Sequence, residues 1–216
     1  MPSIETIATF SFAAFLLCIS PGPSNLYVMA RSISQGRQAG IMAASGMILG
    51  SFIYVIASAF GLAAIFLYSE LAYQLVTLAG AAYLLYLASH YFKLAKQHIQ
   101  TTHKVSQLAK STIFKQSLVV ELTNPKTALF FIAFLPLFTD PKQGNLNLQL
   151  LILGSIYAVI GFMSDILVAT LSGKIGQWMN NHPRAGQWQN RLSASLLFTI
   201  AGFIVYEQVL TFFSRS

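Results

Sequence analysis

The chain has 216 residues, 55% of them apolar, 13% aromatic and only 9% charged, against about 25% charged in an ordinary soluble domain. That balance excludes a water-soluble globular domain. The net charge of +7 does not indicate a nucleic-acid partner, because the Lys and Arg side chains fall between apolar runs and form no basic face on a soluble module.

A bilayer core about 30 Å thick needs roughly 20 mostly apolar residues per helix, and six such runs follow one another. The first, Thr6 to Met29, is preceded by Glu5 and by no Lys or Arg, with no small-x-small cleavage site ahead of Pro21. It therefore reads as a retained span and not as a signal peptide. Within it Cys18 stands alone, so neither a disulfide nor a thiolate metal cluster is expected, and it reads as a small apolar packer. Pro21 and Pro23 flank Gly22. Each proline lacks a backbone donor and clashes with the preceding turn, so the helix should break or kink there. Ser20, Ser24 and Asn25 add polar groups at the same depth.

The second run, Ala39 to Leu67, carries Gly36-x-x-x-Gly40 at its start and Gly46-x-x-x-Gly50 within it. Small residues at this spacing let helix backbones approach closely. They leave open packing within the bundle, which we prefer, or against a second copy in a homodimer. The third run, Leu71 to Phe92, leads into a connection, Lys93 to Thr112, holding Lys93, Lys96, Lys104, Lys110, His98 and His103 and no acid.

The fourth run, Phe114 to Phe138, is interrupted by Asn124-Pro125-Lys126. Asn124 is placed to cap a new helical segment with Pro125 in its first turn. Lys126 lies roughly 18 Å from either end of its helix at about 1.5 Å per residue, too deep to snorkel comfortably. A lone charge there costs about 2.5–3.5 kcal/mol on insertion scales, so an interior role is expected. Glu121 in the same run and Asp165 in the fifth, Leu148 to Ser172, sit at similar depth. Either is a candidate to pair with Lys126 or to couple transport to an ion. The sixth run, Leu192 to Phe213, contains Glu207 near its end.

Six spans divide at the basic connection into 1–92 and 113–216, a single transmembrane domain with 93–112 between the halves. Three spans per half is an odd number, so the halves enter the membrane in opposite senses, the inverted repeat of many secondary transporters. Breaks in the first and fourth spans, and Leu78-Ala79-Gly80 against Ile200-Ala201-Gly202, echo that division. With odd-numbered spans running inward, one side holds Arg31, Arg37, Lys93, Lys96, Lys104, Lys110, Lys115, Lys174, Arg184 and Arg191, and the other Lys142 and Arg215. The positive-inside rule then puts both termini in the periplasm.

The four histidines, His90, His98, His103 and His182, lack ligand spacing, so no metal or other cofactor is expected. An intramembrane enzyme using the buried acids is the alternative from another class, but no nucleophile with a base beside it is evident. A channel would need a filter or a charged ring, and neither is apparent.

Pro21-Gly22-Pro23, Asn124-Pro125-Lys126 and the run Gly80-Ala81-Ala82-Tyr83-Leu84-Leu85-Tyr86-Leu87 resemble the lysine, homoserine and threonine exporter family, LysE/RhtB type. Leu135-Pro136 with Phe138, after Phe130-Phe131, looks like the Phe-rich close of the family's fourth helix, and Asp165 matches an acid of its fifth. Glu121 and Leu137 depart from the neutral polar residue and the glutamine common at those positions. The resemblance implies proton-driven efflux of an amino acid or close derivative across a bacterial cytoplasmic membrane. The expected substrate site is Pro21, Gly22, Pro23, Ser24, Asn25, Asn124, Pro125 and Lys126. Half-helix N-termini would meet the substrate carboxylate, freed carbonyls its ammonium, and Asp165 or Glu121 the proton.

Overall fold

The computed structural model describes residues 1–20, 22–62, 107–140 and 143–181, with further helical residues between 75 and 93 and between 187 and 206. Pro21, Glu207, the four histidines, most of 93–112 and most of the third and sixth expected spans lie outside the described residues.

Ser3 starts the first helix, α1 (Ile4–Ile19), by accepting the amide of Thr6 on its hydroxyl at 3.0 Å. The helix stops at Ser20, whose extended backbone turns the chain out while its amide still reaches Leu16 O. A second helix, α2 (Pro23–Gln35), begins with Pro23 in its first turn, where the missing amide costs nothing. The two are bent by 52°. Gly36 then reverses the chain at φ 84°, a left-handed conformation that favours glycine. The third helix, α3 (Arg37–Ala57), runs back and ends in a π-helical turn, Ser58–Leu62.

The same order recurs after residue 107. Helix α4 (Lys110–Leu122) stops at Thr123. Asn124 caps α5 (Pro125–Leu129) by accepting the Lys126 amide at 3.0 Å, with Pro125 in the first turn. This segment continues through a π turn, Phe130–Phe134, and a 3-10 turn, Leu135–Phe138. The bend between the two parts is 45°. A turn at Gly144, φ 121°, precedes α6, Leu146–Asn181.

Two described helices are long and apolar enough to cross a bilayer, Arg37–Gly61 and Leu146–Ser172, and four spans result if each bent pair is counted as one. The described structure is helical, without strands among the described residues. The expected bounds were short at the ends: Lys110, expected in the connection, opens α4, and Arg31 lies inside α2.

One end of the bundle carries the chain start, where the Met1 ammonium donates to Gln143 O at 3.0 Å. The other carries the Gly36 turn. There Gln35 exchanges hydrogen bonds with the Leu108 backbone, at 2.8 and 3.0 Å, and Lys110 donates to Gln38 at 2.9 Å. Large apolar side chains such as Phe12, Phe52, Ile56, Met163 and Leu167 point outward, as lipid contact requires.

Glycines bring α3 against its neighbours. A Cβ on Gly46 would lie 2.4 Å from Phe114 O, and one on Gly50 would lie 2.8 Å from Glu121 Cβ and Cγ. Gly40 likewise faces Ser32 and Ala169. The close packing is therefore within the bundle, as preferred from the sequence. Gly36 is a correction: nothing lies within 4 Å of its Cβ position, so it serves the turn and not a contact.

Two apolar clusters fill the interior. Toward the Met1 end are Phe10, Ala14, Leu17, Phe130, Phe131, Phe134, Leu150 and Tyr157, with Phe130 stacked on Tyr157 at 3.9 Å. Toward the Gly36 end are Val28, Ala39, Ala43, Met47, Ile113 and Ala169. The polar site lies between them.

Candidate functional site

The two helix breaks face each other. Where α1 ends, its last carbonyls have no helical partner, and in lipid each needs one. Lys126, from the first turn of α5, supplies it: its ammonium donates to Leu17 O at 2.8 Å and to Ser20 O at 2.6 Å. The side chain passes over Gly22, where a Cβ would lie 3.3 Å from Nζ. Cys18 O is taken by Asn25 at 3.1 Å and by Ser164 at 3.4 Å. Across the site Tyr54 donates to Leu122 O, at 2.7 Å, where α4 stops. The prolines thus free carbonyls, and nearby polar side chains occupy them.

A second chain of bonds ties the breaks together. Asn124 donates to the Ser24 hydroxyl at 2.7 Å, and Ser24 donates to Oε2 of Glu121. Oε1 of Glu121 accepts from Ser51 at 2.8 Å and from Thr127 at 3.1 Å. Glu121 is buried and joins α2, α3, α4 and α5 through three hydroxyls. Hydrogen-bond donors of this kind satisfy a buried carboxylate without an ion pair.

Asp165, on α6, is also buried, 7% exposed. Its carboxylate lines the same small cavity as Ser24, Asn25, Ser51, Glu121, Asn124, Lys126, Thr127 and Tyr157. Among the described residues it accepts no hydrogen bond and forms no ion pair. The expectation that an acid pairs with Lys126 is corrected: the ammonium is held by carbonyls at the end of α1, which also carries the negative end of that helix's dipole. Of the carbonyls expected to face a substrate ammonium, Leu17 O and Ser20 O are occupied here by Lys126.

The cavity holds about 30 Å³, room for roughly two or three water molecules. Toward the Gly36 end Tyr27 donates to Gln116 at 2.9 Å, and Arg31 donates to Gln116 at 3.3 Å and lies over the Tyr27 ring. Toward the Met1 end Tyr157, which lines the cavity, packs against the clustered phenylalanines. Beyond them a cavity of about 350 Å³ opens beside Glu5, Thr9, Asp140 and Gln149.

Of the ten residues expected at the site, Gly22, Ser24, Asn25, Glu121, Asn124, Lys126 and Asp165 are brought together. Pro125 serves as the first helical residue beside them, and Pro23 does the same on α2. Ser51, Tyr54, Thr127, Tyr157 and Ser164 were not anticipated; Ser51 alone had a signal, lying beside the close-packing Gly50.

A membrane bundle with discontinuous helices meeting at a buried polar centre has the build of a secondary transporter. The LysE type translocator family model matches residues 15–208, and the chain belongs to that family. It is accordingly a multi-pass membrane transporter and not an enzyme, which removes the catalytic alternative. The chain is 32% identical over 155 residues to the leucine efflux protein of Enterobacter sp. (strain 638), covering 72% of this chain and 74% of that one. It is 31% identical over 189 residues to the homoserine/homoserine lactone efflux protein of Salmonella typhimurium, covering 88% of this chain and 90% of the relative. The homoserine/homoserine lactone efflux protein of Salmonella typhi is 30% identical over the same length. No solved structure matches.

Proposed function

We propose that this chain exports an amino acid or a close derivative across the bacterial cytoplasmic membrane, driven by the proton gradient. Relatives named for leucine and for homoserine or its lactone support the substrate class. The observation that carries the reading is the bridge from Lys126 to the end of α1, which sets one helix break against the other around a buried polar cavity.

In this reading the chain has six spans in two inverted halves of three, with both termini periplasmic. The recurring order of bent pair and straight helix supports the repeat, and the basic side chains near the Gly36 end support the orientation. The small cavity between the breaks is the position at which a substrate would be held once the halves move apart. Rocking of the halves would open it in turn toward the Gly36 end and toward the Met1 end. Gly22, Ser24, Asn25, Asn124 and Lys126 line or brace the substrate position, with Pro21, Pro23 and Pro125 making the breaks. Asp165 is the proton carrier, and Glu121, bound by three hydroxyls, holds the breaks in register.

The test is uptake of radiolabelled amino acids into inverted vesicles under an imposed proton gradient. Wild type should accumulate at least one of them, and Asp165→Asn and Lys126→Ala should not. Undiminished gradient-driven uptake by both variants would remove the assigned roles.

A further inference from the structure

Most polar groups of this site already hold partners. The Lys126 ammonium holds two carbonyls, Glu121 accepts three hydroxyls, Asn124 both donates and accepts, and Asn25 is committed to Cys18 O. Asp165 is the exception. It is more than nine-tenths buried, lines the cavity, and accepts nothing from the described residues. Ser20 Oγ is the one fully enclosed polar side-chain atom without a partner among the described residues, so the Asp165 oxygens are not sealed away and remain open to the cavity.

A buried carboxylate that no donor satisfies is costly while ionised. Two things remedy that: a proton on the carboxyl, or a cation brought into the cavity. Among the described residues the other titratable groups facing Asp165 give it neither. Lys126 on α5 acts on it through space but donates to the α1 carbonyls, Glu121 on α4 carries charge of the same sign, and Cys18 on α1 and Tyr157 on α6 bond to each other, and Tyr157 to Thr127. The described residues of α2 and α3 that line the cavity, Ser24, Asn25, Met47, Ile48 and Ser51, carry no charge.

Resting on the exporter reading above, we infer that Asp165 is the ligand for the substrate's ammonium group and that substrate and coupling proton compete for this one carboxylate. When the substrate enters, its ammonium displaces the proton, which leaves to solvent. When the substrate departs, a proton returns. Exchange of the two follows from exclusive occupancy and requires no separate ion site. A second consequence concerns the carboxylate end of the substrate. Lys126, the one cation lining the cavity among the described residues, spends two of its three donors on carbonyls, so we expect the amine to matter more to binding than the carboxylate.

The experiment measures proton release on binding, with purified full-length protein in weakly buffered detergent containing an indicator dye. The probes are L-leucine, L-leucinamide, which lacks the carboxylate, and 2-hydroxy-4-methylpentanoate, which lacks the amine. L-homoserine, homoserine lactone and 2,4-dihydroxybutyrate form a parallel set. For the set that wild type transports in vesicles, the amino acid and its carboxylate-free analogue should bind and release protons, and the hydroxy acid should do neither. Asp165→Asn should bind the amine roughly ten- to a hundredfold more weakly, the loss of a charged hydrogen bond, without proton release. Asp165→Glu should restore release. Proton release by Asp165→Asn equal to wild type, or tight binding of the hydroxy acid, would overturn the inference while leaving the exporter standing. Absence of gradient-driven uptake of every protein amino acid and of homoserine by wild type would instead overturn the exporter reading, and this inference with it.

Discussion

Glu121 and Asp165 line one cavity from opposite helices, yet Glu121 accepts three hydroxyl hydrogen bonds and Asp165 accepts none from the described residues. Two acids at the same depth thus meet opposite environments. The difference predicts opposite effects on stability. Glu121→Gln puts an amide donor where an acceptor is needed and should destabilise by about 1–3 kcal/mol, the cost of leaving buried hydroxyls unsatisfied. Asp165→Asn loses no hydrogen bond and removes an unpaired buried acid, so it should change stability by less than about 1 kcal/mol or raise it. Melting of the two variants in detergent decides the matter. Equal losses would mean that Asp165 has a partner in the folded protein.

Replacing Lys126 separates function from folding. Lys126→Met leaves Leu17 O and Ser20 O without their donor, at about 1–3 kcal/mol each, but also relieves the burial of an ammonium, a cost of several kcal/mol. The two terms nearly cancel. A melting temperature close to wild type is expected together with a loss of transport of tenfold or more. Uptake within twofold of wild type would show the bridge to be dispensable.

The glycines of α3 rank by what a methyl group would meet. Gly46→Ala would drive a Cβ to 2.4 Å from the Phe114 carbonyl, a backbone atom that cannot swing aside, and overpacking of this kind costs about 1–3 kcal/mol. Gly61→Ala meets nothing within 4 Å and should be neutral or mildly stabilising. Melting both variants in the same detergent checks the order, and a reversal would exclude the close approach of α3 to α4.

Phe130 stacks on Tyr157 and packs tilted against Phe10 at 5.8 Å and Phe134 at 5.3 Å. Phe130→Ala in a soluble core would cost about 3–5 kcal/mol. In lipid the transfer part of that cost is largely absent, because exposed and buried rings both leave water, so about half is expected. The same variant removes the ring stacked on Tyr157, which lines the site. A cysteine placed at Ser24 in the Phe130→Ala background should react faster with a water-soluble thiol reagent than one placed there in the wild-type background, and an unchanged rate would argue that the ring is no barrier.

The breaks could be read from the sequence because proline acts through chemistry it carries itself: a missing amide and a ring that collides with the turn before it. Asn124 as a cap and the depth of Lys126, Glu121 and Asp165 followed from counting along a helix. What counting cannot supply is rotation about the helix axis, and that decides partners. Lys126 donates to the carbonyls of α1 and to neither acid, and nothing local to residue 126 announces it. The hydroxyls of Thr127 and Ser164 were equally hidden, since such residues occur throughout apolar helices and only the tertiary arrangement selects those aimed at a carboxylate or a carbonyl. The helix ends were misplaced because Lys110 and Arg31 were assigned to connections by charge, although a helix readily continues past the apolar zone with a basic side chain on it.

Ser20 and Lys126 are 106 residues apart in the chain. During synthesis at about 5–20 residues per second, the opened end of α1 therefore waits on the order of 5–20 seconds for its ammonium. Through that interval the first half must keep those carbonyls wet, or shielded by the insertion machinery, before the second half arrives. The nascent half-protein should thus be a client for chaperoning within the membrane, and shortening the delay, not strengthening the first half alone, is the route to a better yield of folded transporter.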